Sequence, residues 1–240
     1  KYLFNGYNYT LFIILFFNNV SISQSITPSQ AQTFQRNQTE FNNLANDVDR
    51  RLGMEFVDFT GDLFWNKTWE MGEIVTKSNI LIDSIELKYC VLNQEFHVVK
   101  SDDTIAITNT DLINFIKIQN TLFIYCKSEV NNKIKTNCFE VLYDGKIKLL
   151  KNHTCVFVKG VKNVSSFVNP TSDHYEIRST LFMKTPDNYA IKLPTSKNKF
   201  LKTIDTNNLK ISSFIKTNKI HFNNENELIQ LFSFYNKIYN

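Results

Sequence analysis

The chain has 240 residues, 42% of them hydrophobic and 14% aromatic, and carries a formal net charge of +4. So much apolar material, with only 6 glycines and 4 prolines, excludes a disordered, collagenous or linker-rich chain and suits one globular domain with or without an appendage. The positive balance comes from lysines without clustered arginines, an aromatic RNA-binding motif or a zinc-finger spacing, so nucleic acid is not an expected partner.

At the N-terminus, Lys1 precedes the apolar run Tyr9-Thr10-Leu11-Phe12-Ile13-Ile14-Leu15-Phe16-Phe17, followed by Asn18-Asn19. The run has the length of a secretory signal core and is too short to cross a bilayer as a helix. Ser21 and Ser23 have the spacing of small residues before a cleavage site. Residues 1–23 are therefore expected to be a signal peptide and the mature chain to begin at Gln24, with a retained interfacial anchor as the alternative. The mature chain is not expected to span a membrane, and the signal implies export.

Residues 24–68 are expected to form a flexible leader and an amphipathic helix. Thr27-Pro28-Ser29 interrupts a polar stretch, after which Phe41, Leu44, Ala45, Val48 and Leu52 recur at helical spacing with Gly53 as a stop. Charge is uneven: 4 basic residues against 8 acidic from Ser25 to Glu73, but seven lysines against Asp205 alone from Ile191 to Ile220. A solvated helical surface facing an acidic N-terminal part accounts for this more simply than a face for anionic polymers.

From about Trp69 to Pro194 the period changes to two, predicting an antiparallel β domain over residues 69–194. Ile80 and Ile82 alternate in one parity and Ile85, Leu87, Tyr89 and Val91 in the other, so a bulge is expected at Asp83-Ser84. Strands are predicted at 96–100, 104–108, 115–118, 122–126, 139–143, 146–150, 154–159, 175–179, 181–184 and 189–193. Their short separations favour antiparallel neighbours, and Asp144-Gly145 is the best signal for a tight type I′ hairpin.

Residues 195–240 are expected to be helical and packed on the sheet. Thr195 or Ser196 caps a first helix through Ile204; Asp205 caps a second, with Leu209, Phe214 and Ile215 inward. Asn224 and Glu227 resemble a capping box ahead of an apolar stripe of Leu228, Ile229, Phe232, Tyr235, Ile238 and Tyr239. The expected class is thus α+β, mainly β: an antiparallel meander forming a curved sheet or partial barrel, with one N-terminal helix and two to three C-terminal helices.

The segments Leu142-Tyr143-Asp144-Gly145-Lys146-Ile147-Lys148-Leu149-Leu150-Lys151, His174-Tyr175-Glu176-Ile177-Arg178, and Phe214-Ile215-Lys216-Thr217-Asn218-Lys219 leading into Leu228–Tyr235-Asn236 resemble a group of uncharacterised exported proteins of Bacteroidetes-type Gram-negative bacteria. The resemblance implies an envelope location and a β-sheet with a helical tail. It implies no activity and no site residues.

In an oxidising compartment the even set Cys90, Cys126, Cys138 and Cys155 allows disulfides. Cys126 with Cys138 is the favoured pair because they bracket a polar hairpin loop; Cys90 with Cys155 is the other pairing weighed, and buried free thiols are the alternative. There is no CxxC, GxSxG, HExxH or phosphate-binding GxxxxGK[ST], so no cofactor or metal is expected. Trp65 and Trp69 suit a core or sheet edge better than a sugar-stacking surface. Two functions remain. One is a non-enzymatic envelope binding or scaffold module for a protein partner or an apolar ligand. The alternative is a hydrolase or transferase assembled around His153, His174 and Glu176.

Overall fold

Alternation of apolar and polar side chains carries most of the chain into strands. The computed structural model describes residues 36, 39, 43–47, 60–100, 103–130, 133–161, 171–204 and 209–239. The strands are β1 (Ala45–Asp47), β2 (Thr60–Gly61), β3 (Glu70–Thr76), β4 (Leu81–Cys90), β5 (Glu95–Lys100), β6 (Asp103–Ile107), β7 (Ile113–Ile118), β8 (Thr121–Val130), β9 (Lys133–Tyr143), β10 (Lys148–Val158), β11 (His174–Lys184) and β12 (Ala190–Lys192). Three helices follow among the described residues: α1 (Lys197–Thr203), α2 (Leu209–Thr217) and α3 (Glu225–Tyr239). The protein is thus α+β and mainly β, as the sequence predicts.

The strands lie in the order β1-β6-β5-β4-β3-β7-β8, after which β8, β9, β10, β11 and β12 pair in a cycle. Pairing is antiparallel except for two short contacts, β12 with β8 and β2 with β11. The meander is also broken once, because β7 returns to pair with β3. Ile107 and Ile113 are joined by residues 108–112, which include a 3-10 turn at Thr110–Leu112, although β5, β4 and β3 separate their strands in the sheet. Such a link reaches about 16 Å, against about 19 Å for four strand spacings in a flat sheet. The N-terminal sheet must therefore curl, and it encloses Leu44, Ile74, Leu87, Tyr89, Phe96, Ile107, Ile116 and Phe123.

The bulge expected at Asp83-Ser84 is present: Gly72 faces Ile85 while Ile74 faces Ile82, and Ser84 takes a φ of 54°. The hairpin at Asp144-Gly145 differs from expectation. Residues 144–147 separate β9 from β10, with Tyr143 opposite Leu149, and Gly145 is not among the residues with positive φ. Gly145 is required for a different reason, since a Cβ there would lie 2.6 Å from the buried Asn236 side chain on α3. Asn236 accepts from the Ile147 amide at 3.1 Å and donates to the Ile147 carbonyl at 3.1 Å, clamping this loop to the helix.

Two other departures concern strand length and the N-terminal helix. The strands predicted at 146–150 and 154–159 are one strand, β10, and those at 175–179 and 181–184 are one strand, β11. Asn152 and Thr180 look like breaks in sequence, yet they face each other in an unbroken register. The helix predicted through Leu44, Ala45, Val48 and Leu52 is overturned at Ala45–Asp47, which pairs as a strand with Ile105–Ile107. Asn43 and Leu44 are helical, and residues 48–59 lie outside the described residues, as does the expected signal peptide at 1–23. No helix among the described residues is long and apolar enough to cross a membrane.

The helical tail covers the outer face of β10 and β11. Leu149 and Met183 from the sheet meet Phe200, Ile211, Ile215, Leu228, Leu231, Phe232 and Tyr235 in one buried cluster. The Asn224 cap forms, its Oδ1 accepting from the Asn226 and Glu227 amides, but the reciprocal half of the expected capping box does not: Glu227 accepts from Asn224 Nδ2 at 2.9 Å and from the His221 amide at 2.6 Å, while the Asn224 amide donates to the His221 carbonyl. Leu209, expected inward, is 83% exposed; Ile215 is buried as expected, and Ile211 joins it on the inner face of α2. Asp205, the expected cap of α2, lies outside the described residues.

Candidate functional site

Inside the ring of β8 to β12, register decides which side chains meet. Ile124 faces Phe139, Leu150 faces Phe182, and Ala190 faces Ser128, so an apolar floor forms from Phe139, Leu150, Phe182 and Ala190. Going outward along the same faces, the residues become polar: Asn137, Lys135 and Lys133 on β9, Asn152 and Thr154 on β10, Thr180 on β11, Lys192 on β12. They line a cup of about 610 Å³ together with Val130, Phe182 and Glu129. That volume is of the size that holds a small ligand.

Charge in the cup is unbalanced. Lys133, Lys135 and Lys192 line it against the single carboxylate of Glu129, and none of the three forms an ion pair among the described residues. Asn137 donates to Ser128 Oγ at 2.7 Å, fixing its amide on the wall. An ammonium held over an apolar floor favours a ligand with an anionic end and an apolar end.

The wall between β9 and β10 is incomplete. Ladder pairing runs only from Glu140 to Tyr143 against Leu149 to Lys151. Beyond it, Gln94, at the turn between β4 and β5, inserts its amide: Nε2 donates to the His153 carbonyl at 2.7 Å and Oε1 accepts from the Cys138 amide at 3.3 Å. A side chain from the N-terminal sheet thus takes the place of a missing rung, and its own φ of 58° aims it there. Asn152 closes the same gap by donating to the Cys138 carbonyl at 2.9 Å.

On the outer face of the ring a second arrangement crosses three strands. His153 on β10 faces Ser179 on β11, while Glu140 on β9 faces Lys151 and reaches His153 diagonally on the same face, so the three form a slanted row. His153 Nε2 lies 2.7 Å from Glu140 Oε2, and its Nδ1 lies 2.9 Å from Ser179 Oγ. His153 is buried, with Trp65 edge-on at 6.5 Å, whereas Ser179 is exposed.

The residues named from sequence are not brought together. His153 sits opposite Ser179, while His174, at the start of β11, sits opposite Val158. Glu176 sits opposite Val156, in the other parity from His153, and pairs with Arg178 at 3.2 Å, a contact that holds its carboxyl below the usual range. The bridge expected between Cys126 and Cys138 is not formed, and all four cysteines are free. Cys126 faces Asn137 and Cys138 faces Tyr125, so the one-residue offset sends their side chains to opposite faces. Burial pushes the Cys126 thiol up to about 11 and raises Cys138 further, leaving both poor nucleophiles. No group of His, Cys, Asp and Glu that could hold a metal exists among the described residues.

Trp65 packs edge-on against Phe123 at 5.1 Å and joins the N-terminal core, as expected of a core residue. The lysines of the cup and the partners of His153 were missed by motif reading. Lys133, Lys135 and Asn137 do alternate at period two, a signal hidden because Lys127 to Asn137 reads as a loop. No protein-family model, no characterised protein and no solved structure matches the chain.

Proposed function

We propose that the chain is an exported envelope module that works by binding, and that its ligand is an amphipathic anion held in the cup of the β8–β12 ring. The observation that carries this reading is the set of Lys133, Lys135 and Lys192 around a floor containing Phe182. It narrows the apolar ligand expected from sequence to one with an acidic head. The apolar part would shed water against the floor while the head meets the ammonium groups, each supplying what the other lacks.

The test is displacement of 1-anilinonaphthalene-8-sulfonate, a fluorescent amphipathic anion, by dodecanoate and by dodecanol. Dodecanoate should compete at least about tenfold better than the neutral alcohol, with the advantage shrinking as salt is added. Replacing Lys133, Lys135 and Lys192 together by Gln should abolish that advantage. Equal competition by both compounds, or an unaffected triple variant, rejects the reading. Export is checked separately by fractionating cells that make the full chain.

A further inference from the structure

We propose that Ser179 is a nucleophile activated by His153, with Glu140 as the positioning residue, and that this row reacts with activated acyl esters. The inference goes beyond binding in the cup: His153 and Ser179 face outward, while Asn152, Thr154 and Thr180 of the same strands face the cup.

Three features of the row support it. Both imidazole nitrogens are engaged, one by a carboxylate and one by a hydroxyl, at 2.7 Å and 2.9 Å. A carboxylate oxygen accepts, so the imidazole tautomer that fits both contacts donates from Nε2 to Glu140 and turns its Nδ1 lone pair toward the Ser179 hydroxyl. This is the division of labour in a serine-histidine-carboxylate triad with the two ring nitrogens exchanged. Exposure also rises in the useful direction: the side chains of His153 and Glu140 are 8% and 16% exposed, and Ser179 is exposed. A reagent can thus reach the hydroxyl while the groups behind it stay shielded.

The row sits, moreover, between two packed regions. Along β11, Ile177 packs on the N-terminal core and Leu181 on the helical cluster, with Ser179 between them. On β10, Cys155 packs on the N-terminal core and Leu149 lies in the helical cluster, bracketing His153. Register across β10 and β11 therefore fixes the pair from both ends.

In the reaction, Ser179 Oγ bonds to the acyl carbon as its proton passes to His153 Nδ1. The bond to the leaving alkoxide breaks, and the alkoxide takes that proton and departs as the alcohol. Water then attacks the acyl-serine, giving its proton to Nδ1; the carboxylic acid leaves and Ser179 Oγ regains the proton.

The experiment treats the full chain with an alkyl fluorophosphonate, whose phosphorus–fluorine bond breaks as the serine–phosphorus bond forms, and maps the adduct by mass spectrometry. Ser213, an exposed serine on α2, is the internal control. Ser179 should be modified about a hundredfold faster than Ser213, the range of general-base assistance. Ser179→Ala should remove the adduct together with the hydrolysis of p-nitrophenyl acetate. Glu140→Gln and His153→Gln should slow modification of Ser179 at least about tenfold at an unchanged rate for Ser213. Modification of Ser179 no faster than Ser213 in the unaltered chain overturns the proposal whatever the variants do.

Discussion

Gln94 ties the turn between β4 and β5 to β9 and β10 with one amide. It supplies a donor to the carbonyls of Val91 and His153 and an acceptor to the Cys138 amide, and its own carbonyl accepts from Tyr125 Oη at 3.0 Å. Truncation leaves buried backbone groups without partners, each costing on the order of 1–3 kcal/mol. Gln94→Ala should destabilise the protein by about 3 kcal/mol in urea denaturation, and Gln94→Glu should do no better, because a carboxylate would face two carbonyls. His97 shows the cost of burying a titratable group. Burial, followed by the nearby Lys88, lowers its pKa from 6.5 to about 4, and Nε2 finds no hydrogen-bond partner. Below 6.5 the unfolded chain takes up the proton before the folded one does. Its contribution is therefore intact above pH 6.5 and is lost as pH falls toward 4, about 3 kcal/mol in all. His97→Leu should flatten the stability profile across that window, as followed by urea midpoints at successive pH values.

At the scale of elements, α3 is secured at both ends by asparagines. Asn224 caps it, and Asn224→Ala should cost about 1 kcal/mol. Near the other end Asn236 binds Ile147 and also donates to the Phe232 carbonyl at 2.8 Å, with Gly145 leaving it room. Gly145→Ala and Asn236→Ala should each destabilise by about 2 kcal/mol. The double variant should cost clearly less than the sum, since removing the amide removes the clash. Thermal unfolding of the four proteins measures that coupling. The Asn224 cap and the parity change at Ser84 were readable because each follows from neighbouring residues. The role of Gly145 was not, because its partner is on α3, far along the chain. Asp-Gly looks like a turn signal whether φ or space is the constraint.

At the scale of the whole molecule, sheet and helical tail were legible from periodicity, but closure was not. The pairing of β12 with β8 rests on Ala190 with Ser128 and Ile191 with Glu129, and it creates the cup. Nothing local in either strand announces a parallel neighbour. The same limit applies to the row at His153: its parity could be read, but Glu140 and Ser179 join it only through the registers of β9 and β11. His174 and Glu176, grouped with His153 from sequence, are separated from it by the register of β11.

That small parallel contact also has a kinetic consequence. Hairpins such as β5–β6 and β7–β8 close short loops, but joining β12 to β8 must bring together residues about sixty positions apart in the chain. Loop-closure entropy is spent before such a contact returns any energy. The cup should accordingly mature after the hairpins, with refolded chains recovering hairpin circular dichroism before they recover the capacity to bind.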